Sequence, residues 1–407
     1  MTLTDAGNAR LDDFLELVGD ILGHSRRRAS FATYALGLLS EGERKSVEPI
    51  AARSVGTSTT VDAAHQRLLH FITDSTWDDH AVRLAAARYA IKTMTTEQPL
   101  ESWIIDDTGF LKQGTHSVGV HRQYTGSAGK VTNCQIGVSL SVATRSAHLP
   151  IDFELYLPTS WTDDPARVLE ARIPPEVTFK TKLELALGML SRAVKDGIAP
   201  GVVLADSAYG ASAEFRLALH RLGLRYSVGV NCLTSVYEVR DVVNRGGQAI
   251  SLKALATKLD RKGKFERCAW RVGTSGDELS ARFAMRRVTP VAEQGRELSE
   301  RQPLWLLIEW RDGEPEPANY FFSSLPDDIS LTELVRITMQ RWRTERVYQD
   351  LKGELGLDHY EGRRFPGWHH HVSVVLCCFA FAVAERHRIF PLTSRRRDSS
   401  RAHRVAA

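Results

Sequence analysis

The chain of 407 residues, 43% of them hydrophobic, is long enough for two or three domains with a sizeable core. Its net charge of +4 is too small to indicate a nucleic-acid partner by itself, and its five cysteines show no CxxC spacing, which argues against a zinc site or a disulfide framework. No N-terminal signal sequence is visible, and the apolar run from Val372 predicts a buried helix that is too short to span a membrane. These features favour a protein of a reducing cytoplasm.

Residues 1–99 carry helical periodicity and almost no strand signal. Leu11, Leu15, Val18 and Leu22, for example, recur at the spacing of an amphipathic helix. Basic and polar side chains follow along the predicted helices: Arg26, Arg27, Arg28, Arg44, Lys45, Arg53, His65, Gln66 and Arg67. We predict a helical domain with a solvated face, and its functional interpretation is a module that grips DNA through phosphate contacts.

Residues 100–230 change to an α/β order. The short strand WIID ends in Asp106 and Asp107, and two more strands follow it. A helix from Thr181, an apolar strand that ends at Asp206, a further helix and the strand YSVGV come next. This order predicts a three-layer α/β fold, and ligands of such open sheets lie at the carboxyl ends of the strands.

Residues 231–302 are predicted to form a β-rich insertion, so that the core comprises residues 100–230 and 303–385. Two strands around Asp312 and Gly313 form a hairpin that can return to the main sheet. Asp328 or Ser330 then caps a helix that leads to Glu345. Residues 386–407 contain seven arginines and one acid, Asp398, and are predicted to be a basic, disordered tail.

A single helix through the segment from Arg341 to Arg364 would bring Arg341, Glu345 and Lys352 to nearly the same face. Trp342 and Tyr348 lie on the same stripe. Such a surface suits a metal ion, a phosphate and a base, whereas the structural alternative is a solvated helix with ion pairs.

Three carboxylates stand out together: Asp106 or Asp107, then Asp206, then Glu345. Hard oxygen ligands suit Mg²⁺ or Mn²⁺, and two such ions can clamp the attacking and leaving oxygens of a phosphoryl displacement. Each acid also has a structural alternative, as a turn residue, a helix cap or an ion-pair partner. Jointly they predict metal-assisted cleavage or transfer of phosphodiesters.

Long motifs give the chain a resemblance to a known family, from GERKSVEPIAAR through DDTG and ADSAYG to GLDHYEGRRFPGWHHH. The chain resembles the DDE transposases of bacterial insertion sequences, within the insertion-sequence-four type superfamily and the group named for insertion sequence seven-hundred-and-one. Arg341, Glu345 and Lys352 match the signature Tyr-x2-Arg-x3-Glu-x6-Lys. Thr338 stands where the family has a tyrosine that contacts the DNA backbone near the transposon end.

The resemblance implies an RNase H-like mixed sheet flanked by helices, with an N-terminal helical DNA-binding domain and a β-rich insertion. It implies that Asp106, Asp206 and Glu345 are catalytic and bind metal, with Asp107 as the alternate first acid; Asp106 is favoured because it forms D-x-T with Thr108. The implied cofactor is Mg²⁺ or Mn²⁺, as two ions. The implied partners are double-stranded DNA, at terminal inverted repeats and at the target, and a second copy of the chain, in the bacterial cytoplasm at the nucleoid.

Several side chains are candidates for contacts with DNA. They are Arg341, Lys352, Trp342, Thr338, Lys112, Arg363 and Arg364. In the family the insertion helps to grip DNA and a flipped base, a role that Trp270, Trp305 or Trp310 can fill, although core packing is the favoured interpretation of each. For the run from His369 to His371 we favour a DNA-facing or surface role over a metal site, because adjacent residues on a helix point in different directions.

The predicted function is an active transposase that cleaves DNA at the ends of its element and joins the freed 3′-hydroxyl to target DNA. One alternative is a catalytically inactive DNA-binding protein, a repressor or a domesticated transposase. The other is a metal-dependent nuclease without strand transfer.

Overall fold

The computed structural model describes residues 4–55, 60–238, 248–272, 278–291 and 303–391. The chain folds into two compact units. The first unit comprises Met1–Leu100, Asp107–Met189 and Thr344–Ala407, and the second comprises Glu101–Asp106 and Leu190–Arg343. The mixed α/β content, with strands in a mixed sheet and helices against it, confirms the predicted fold class.

The described helices, in chain order, are α1 (Asp5–Ile21), α2 (Ser25–Leu39), α3 (Val47–Ser54), α4 (Val61–Thr73), α5 (Asp79–Met94), α6 (Thr159–Thr162), α7 (Pro165–Glu170), α8 (Lys182–Lys195), α9 (Ser207–Gly210), α10 (Ala213–Arg221), α11 (Leu252–Arg261), α12 (Leu331–Thr338), α13 (Arg343–Leu355) and α14 (Phe365–Ile389). A 3-10 turn, Met339–Trp342, joins α12 to α13.

The described strands are β1 (Ser102–Leu111), β2 (His121–Thr125), β3 (Lys130–Ala143), β4 (His148–Tyr156), β5 (Val202–Ala205), β6 (Tyr226–Val230), β7 (Ser235–Glu238), β8 (Ile250–Ser251), β9 (Glu266–Val272), β10 (Glu278–Pro290), β11 (Leu304–Trp310) and β12 (Asn319–Ser323). Strand β1 is longer than its sequence predicts. It does not end at the two acids but continues to Leu111, where it lies beside β3.

In the first unit, helices α1 to α5 pack around the long helix α14. Side-chain caps begin several of these helices: Thr4, Thr60 and Asp78 each accept a backbone N–H in the first turn. Helix α14 is long and apolar enough to cross a membrane, but 83% of its apolar window is buried inside the protein. It is therefore the core helix that the run from Val372 predicts.

Strand β3 organises the sheet of the first unit. Its first residues pair with β2 in an antiparallel hairpin, and its remaining residues pair with β4, also antiparallel. On its other side lies the C-terminal half of β1.

The sheet of the second unit has the order β1-β5-β6-β12-β11-β10-β7-β8, with β9 on β10. Only the pairs β1/β5 and β5/β6 are parallel. The predicted hairpin is confirmed, because β11 and β12 pair with each other and β12 pairs with β6. The predicted β-rich segment also contains helix α11, whose first turn is capped by Ser251.

Candidate functional site

The second unit brings two of the predicted acids together. Strands β1 and β5 pair in parallel, with Ile104 opposite Leu204. Extended by two residues, the same register sets Asp106 of β1 beside Asp206, which directly follows β5. Since paired strands lie about 5 Å apart, the two carboxylates share the carboxyl end of this strand pair.

Asp206 is held by the start of helix α9. It is the N-cap residue, and its Oδ1 accepts a hydrogen bond of 2.9 Å from the backbone N–H of Ala208. Gly229 of the neighbouring strand β6 permits this turn, because a Cβ at that position would lie 2.7 Å from the backbone nitrogen of Ser207. The glycine in YSVGV is a signal for such a close approach that the sequence analysis did not use.

Asp106 is held by an arginine. The Nη1 of Arg341 donates a hydrogen bond of 2.8 Å to its Oδ2, and the two side chains are 32% and 13% exposed respectively. Arg341 belongs to the 3-10 turn, whereas Glu345 is in the first turn of α13. The segment is therefore not the single α-helix that the sequence analysis assumed.

A bracket of polar side chains fixes the 3-10 turn against the start of β1. Arg336 donates to Glu101 at 2.8 Å, and the side-chain amide of Gln340 donates to the same carboxylate at 2.7 Å. The hydroxyl of Ser102 donates to the amide oxygen of Gln340 at 3.1 Å. No sequence pattern indicates these long-range contacts, which hold the residues on the N-terminal side of Arg341.

Asp107 has a different cation. The Nζ of Lys182, in the first turn of α8, donates to its Oδ2 at 2.9 Å within the first unit. Successive residues of a strand point to opposite faces. Asp106 and Asp107 therefore lie in different surroundings, one held by Arg341 and the other by Lys182.

The remaining signature residues belong to helix α13 of the first unit. Glu345 is exposed in its first turn. The Nζ of Lys352 donates to the hydroxyl of Thr108 at 2.9 Å and to the carbonyl of Gly109 at 2.7 Å, and burial lowers the pKa of this lysine. Lys352 thus supports β1 immediately after the two acids.

The donor set suits a hard cation. Asp106 and Asp206 supply two neighbouring carboxylates, and Mg²⁺ or Mn²⁺ takes its other ligands from water and phosphate. Within the described part of the chain, no group of three or more His, Cys, Asp or Glu side chains forms a ready metal site. Asp106 and Asp206 belong to the second unit and Glu345 to the first.

Two of the sequence-based expectations are corrected. Thr338 is only 3% exposed and its hydroxyl is hydrogen-bonded to Ser227 at 2.7 Å, so it has almost no surface for the predicted DNA contact. The surface role for the histidine run is wrong because His369, His370 and His371 are all buried in α14.

Two of these histidines have defined partners. His371 donates from Nε2 to the carbonyl of Gly356 at 3.0 Å, and its Nδ1 is 2.9 Å from the hydroxyl of Tyr34. His370 donates from Nδ1 to the carbonyl of Ile72 at 2.8 Å and stacks on Trp77. Burial lowers the pKa of both imidazoles to about 4.

The other residues predicted to contact DNA differ in the exposure of their side chains and in the partners that they have within the protein. Trp342 is 38% exposed, with the guanidinium of Arg271 3.6 Å above its ring. Arg363 is exposed. Lys112 donates to the carbonyl of Tyr360 at 2.6 Å, and Arg364 forms an ion pair with Asp74.

Three other tryptophans of the second unit, Trp270, Trp305 and Trp310, are half-buried. The indole of Trp305 donates to the carbonyl of Pro326, and Arg287 lies 4.9 Å from its ring centroid. Trp310 is paired in the same way with Arg282, at 5.0 Å. Trp270 packs against the ring of Phe283. All three therefore pack partly against their own unit and keep some exposed surface.

A basic cleft of about 620 Å³ lies in the first unit between α2, α4 and the segment after α4. It is lined by His24, Arg26, Arg27, Ser30, Gln66, Arg67, His70, Phe71, Asp74, Ser75 and Thr76. Among the described residues, Arg26, Arg27 and Arg67 have no carboxylate partner. Asp74 at the cleft is paired with Arg172 at 2.7 Å and with Arg364, so the lining is strongly positive. The arginines are visible in the sequence, but the sequence does not show that they line one surface.

Comparison with known proteins gives two family matches. A model described as DDE superfamily endonuclease matches residues 18–277, more than half of the chain, and a model described as Transposase DDE domain matches residues 180–381. The first match includes Asp106 and Asp206, and the second includes Asp206 and Glu345.

A curated relative from Microchaete diplosiphon carries the name "Probable transposase for insertion sequence element IS701". It is 28% identical to this chain over 221 residues, which are 54% of the chain and 53% of the relative. The aligned part of the chain thus spans about half the length of this relative.

Proposed function

Because the chain belongs to the DDE superfamily endonucleases, we propose that it is the transposase of an insertion sequence. It binds the terminal inverted repeats of its element, cleaves there and joins the freed ends to target DNA. The observation that carries the proposal is the parallel pairing of β1 and β5, because its register, extended by two residues, supports a shared position for Asp106 and Asp206. The Transposase DDE domain match and the name of the relative from Microchaete diplosiphon support the same conclusion.

In the proposed mechanism, Asp106, Asp206 and Glu345 would hold two ions of Mg²⁺ or Mn²⁺. When bound, the ions would supply Lewis-acid stabilisation of the attacking and leaving oxygens of a phosphodiester. The chain's own residues orient the carboxylates: the α9 N-terminus fixes Asp206, Arg341 fixes Asp106, and Lys352 is hydrogen-bonded to β1 two residues after Asp106.

The contacts with DNA are proposed for several surfaces. The helical domain of residues 1–99 binds phosphates in the cleft between α2 and α4, because guanidinium groups without carboxylate partners are suited to phosphate. Arg341, Lys352, Trp342, Arg363 and Lys112 are proposed contacts of the core, residues 100–230 and 303–385. The insertion, residues 231–302, makes additional contacts with the DNA.

The protein acts as a homodimer on DNA in the cytoplasm, at the nucleoid. The predicted basic tail, residues 386–407, begins within helix α14, which ends at Ile389, and its part beyond Pro391 lies outside the described residues.

Substitution of Asp206 by Asn tests the proposal. The variant keeps the shape of the side chain and removes a charge, so we expect binding to an end fragment to be retained and cleavage to be lost. Gel shifts at several salt concentrations and a nicking assay with Mg²⁺ or Mn²⁺ measure the two separately. The exposed Asp163 provides the control, because Asp163→Asn should leave both unchanged.

Two results would contradict the proposal. If Asp206→Asn cleaves as well as the parent, or if the parent cleaves fully in excess chelator, the carboxylates do not carry the reaction and a DNA-binding protein is the better account. Cleavage without joining to supercoiled target DNA would instead identify a nuclease.

A further inference from the structure

We propose that Arg341 is a positioning residue that exchanges partners: it holds Asp106 before the site is loaded and moves to a DNA phosphate when a divalent cation takes the carboxylate. This inference rests on the proposed function of the site, and it deepens that function by linking metal binding to DNA binding through one side chain.

The first observation is the contact between Arg341 and Asp106 in the second unit. The hydrogen bond is 2.8 Å long, while the arginine is one-third exposed. Ion pairs that reach solvent on the arginine side contribute little net free energy, so the pair can open at small cost.

The second observation is the register of β1 and β5. Extended by two residues, it brings Asp106 beside Asp206, the residue that follows β5, and neighbouring carboxylates repel one another when no cation is present. Arg341 supplies the positive charge that offsets this repulsion. A divalent cation at Asp106 would supply the same compensation and would repel the guanidinium, so the two cations compete for one carboxylate.

The third observation is the bracket formed by Arg336, Gln340 and Glu101. It ties the backbone on the N-terminal side of Arg341 to the start of β1, independently of the bond to Asp106. The released guanidinium therefore stays beside the site. The planar guanidinium presents two parallel N–H donors, a geometry that matches the oxygens of a phosphate.

These steps make the two binding events reciprocal. A metal ion at Asp106 frees Arg341 for phosphate, and a phosphate that binds Arg341 removes the competitor of the metal ion. By linkage, each ligand raises the affinity for the other by the same factor.

The neighbouring pair of Lys182 and Asp107 provides a matched control. It also joins a cation to an acid of the DDT motif at 2.9 Å, and its side chains are 32% and 20% exposed, but it belongs to the first unit. Loss of Lys182 removes the same charge without touching Asp106.

The experiment measures Mn²⁺ binding to the full chain by the loss of the free-ion electron paramagnetic resonance signal, without DNA. We expect Arg341→Gln to bind Mn²⁺ about three- to tenfold more tightly than the parent, which corresponds to the loss of one partly exposed ion pair. Lys182→Gln should stay within about twofold of the parent. Arg341→Lys, which keeps the charge but not the fork, should fall between the parent and Arg341→Gln. Thermal melts establish that each variant is folded.

A second arm adds a DNA duplex of arbitrary sequence. The duplex should raise the Mn²⁺ affinity of the parent more than that of Arg341→Gln. In the parent, the duplex draws Arg341 away from Asp106, whereas the variant has no guanidinium that competes with the ion. Unchanged or weaker Mn²⁺ binding by folded Arg341→Gln overturns the exchange. Tighter binding by Lys182→Gln alone also overturns it and assigns the first acid to Asp107. If neither Asp106→Asn nor Asp206→Asn changes the affinity for Mn²⁺, the proposed function fails together with the exchange.

Discussion

At the scale of single residues, the adjacent acids of the DDT motif have different neighbours. Asp106 contacts Arg341 and shares a strand end with Asp206, whereas Asp107 contacts Lys182 on α8. Sequence reasoning favours Asp106 on the D-x-T pattern alone. The parallel register of β1 and β5 adds a physical reason, because it pairs Asp106, and not Asp107, with the second acid.

We therefore predict that Asp106→Asn lowers the rate of end cleavage by more than roughly a hundredfold, because loss of a proposed ligand should cost more than the roughly 10- to 100-fold typical of groups that only orient ligands. Asp107→Asn should cleave at nearly the parent rate and lose at most about 1 kcal/mol of stability, because its ion pair with Lys182 is partly exposed. A nicking assay and thermal melts measure both. Loss of cleavage in a fully folded Asp107→Asn protein would reverse the assignment of the first acid.

At the scale of secondary-structure elements, helices α2 and α4 form the basic cleft. Three arginines of this cleft have no carboxylate partner among the described residues, while Arg28, one position beyond Arg27, pairs with Asp20 at 2.7 Å. Adjacent arginines on one helix thus have different electrostatic surroundings. The cleft is the surface on which the proposed phosphate contacts of residues 1–99 depend.

Replacement of Arg26, Arg27 and Arg67 together by Gln should weaken binding to DNA and lower its dependence on salt. If each arginine neutralises one phosphate, the slope of log K against log salt should fall by about 0.9 per residue, or nearly three in all. Fluorescence anisotropy with a labelled duplex measures the slope. Arg28→Gln is the control and should keep the parent slope; equal slopes for the two variants would remove the cleft from the DNA interface.

At the scale of the whole molecule, the stability of the first unit depends on polar groups buried along α14. His370 and His371 are buried and satisfied as neutral imidazoles, and their pKa values are lowered to about 4. In the unfolded chain, a histidine has a pKa near 6.5. Between these values the unfolded state binds more protons than the folded state, so the free energy of unfolding falls as pH falls.

The melting temperature should therefore decrease as the pH falls from 7 to 5. The free energy of unfolding should have fallen by up to roughly 3 kcal/mol per histidine when the pH reaches about 4. His370→Gln with His371→Gln should lower the melting temperature at pH 7 and reduce its dependence on pH. The exposed His116 is the control, and His116→Gln should keep the parent profile. An unchanged pH profile in the double variant would show that other groups govern acid sensitivity.

The sequence by itself determined most of the order of the elements, the apolar core helix and the hairpin of β11 and β12, and it singled out the candidate acids, because these depend on local periodicity and on motifs within a few residues. Local patterns could not show that β1 runs past its acids, or that a 3-10 turn separates Arg341 from α13.

Only the tertiary structure decided which partners these residues have. The burial of Thr338 and of the histidine run, the ion pair of Arg341 with Asp106 and the convergence of three arginines on one cleft all join residues far apart in the chain. The physical reason is that helical or strand spacing fixes the direction of a side chain relative to its own element. What lies in that direction depends on the packing of other elements, which a single sequence does not display.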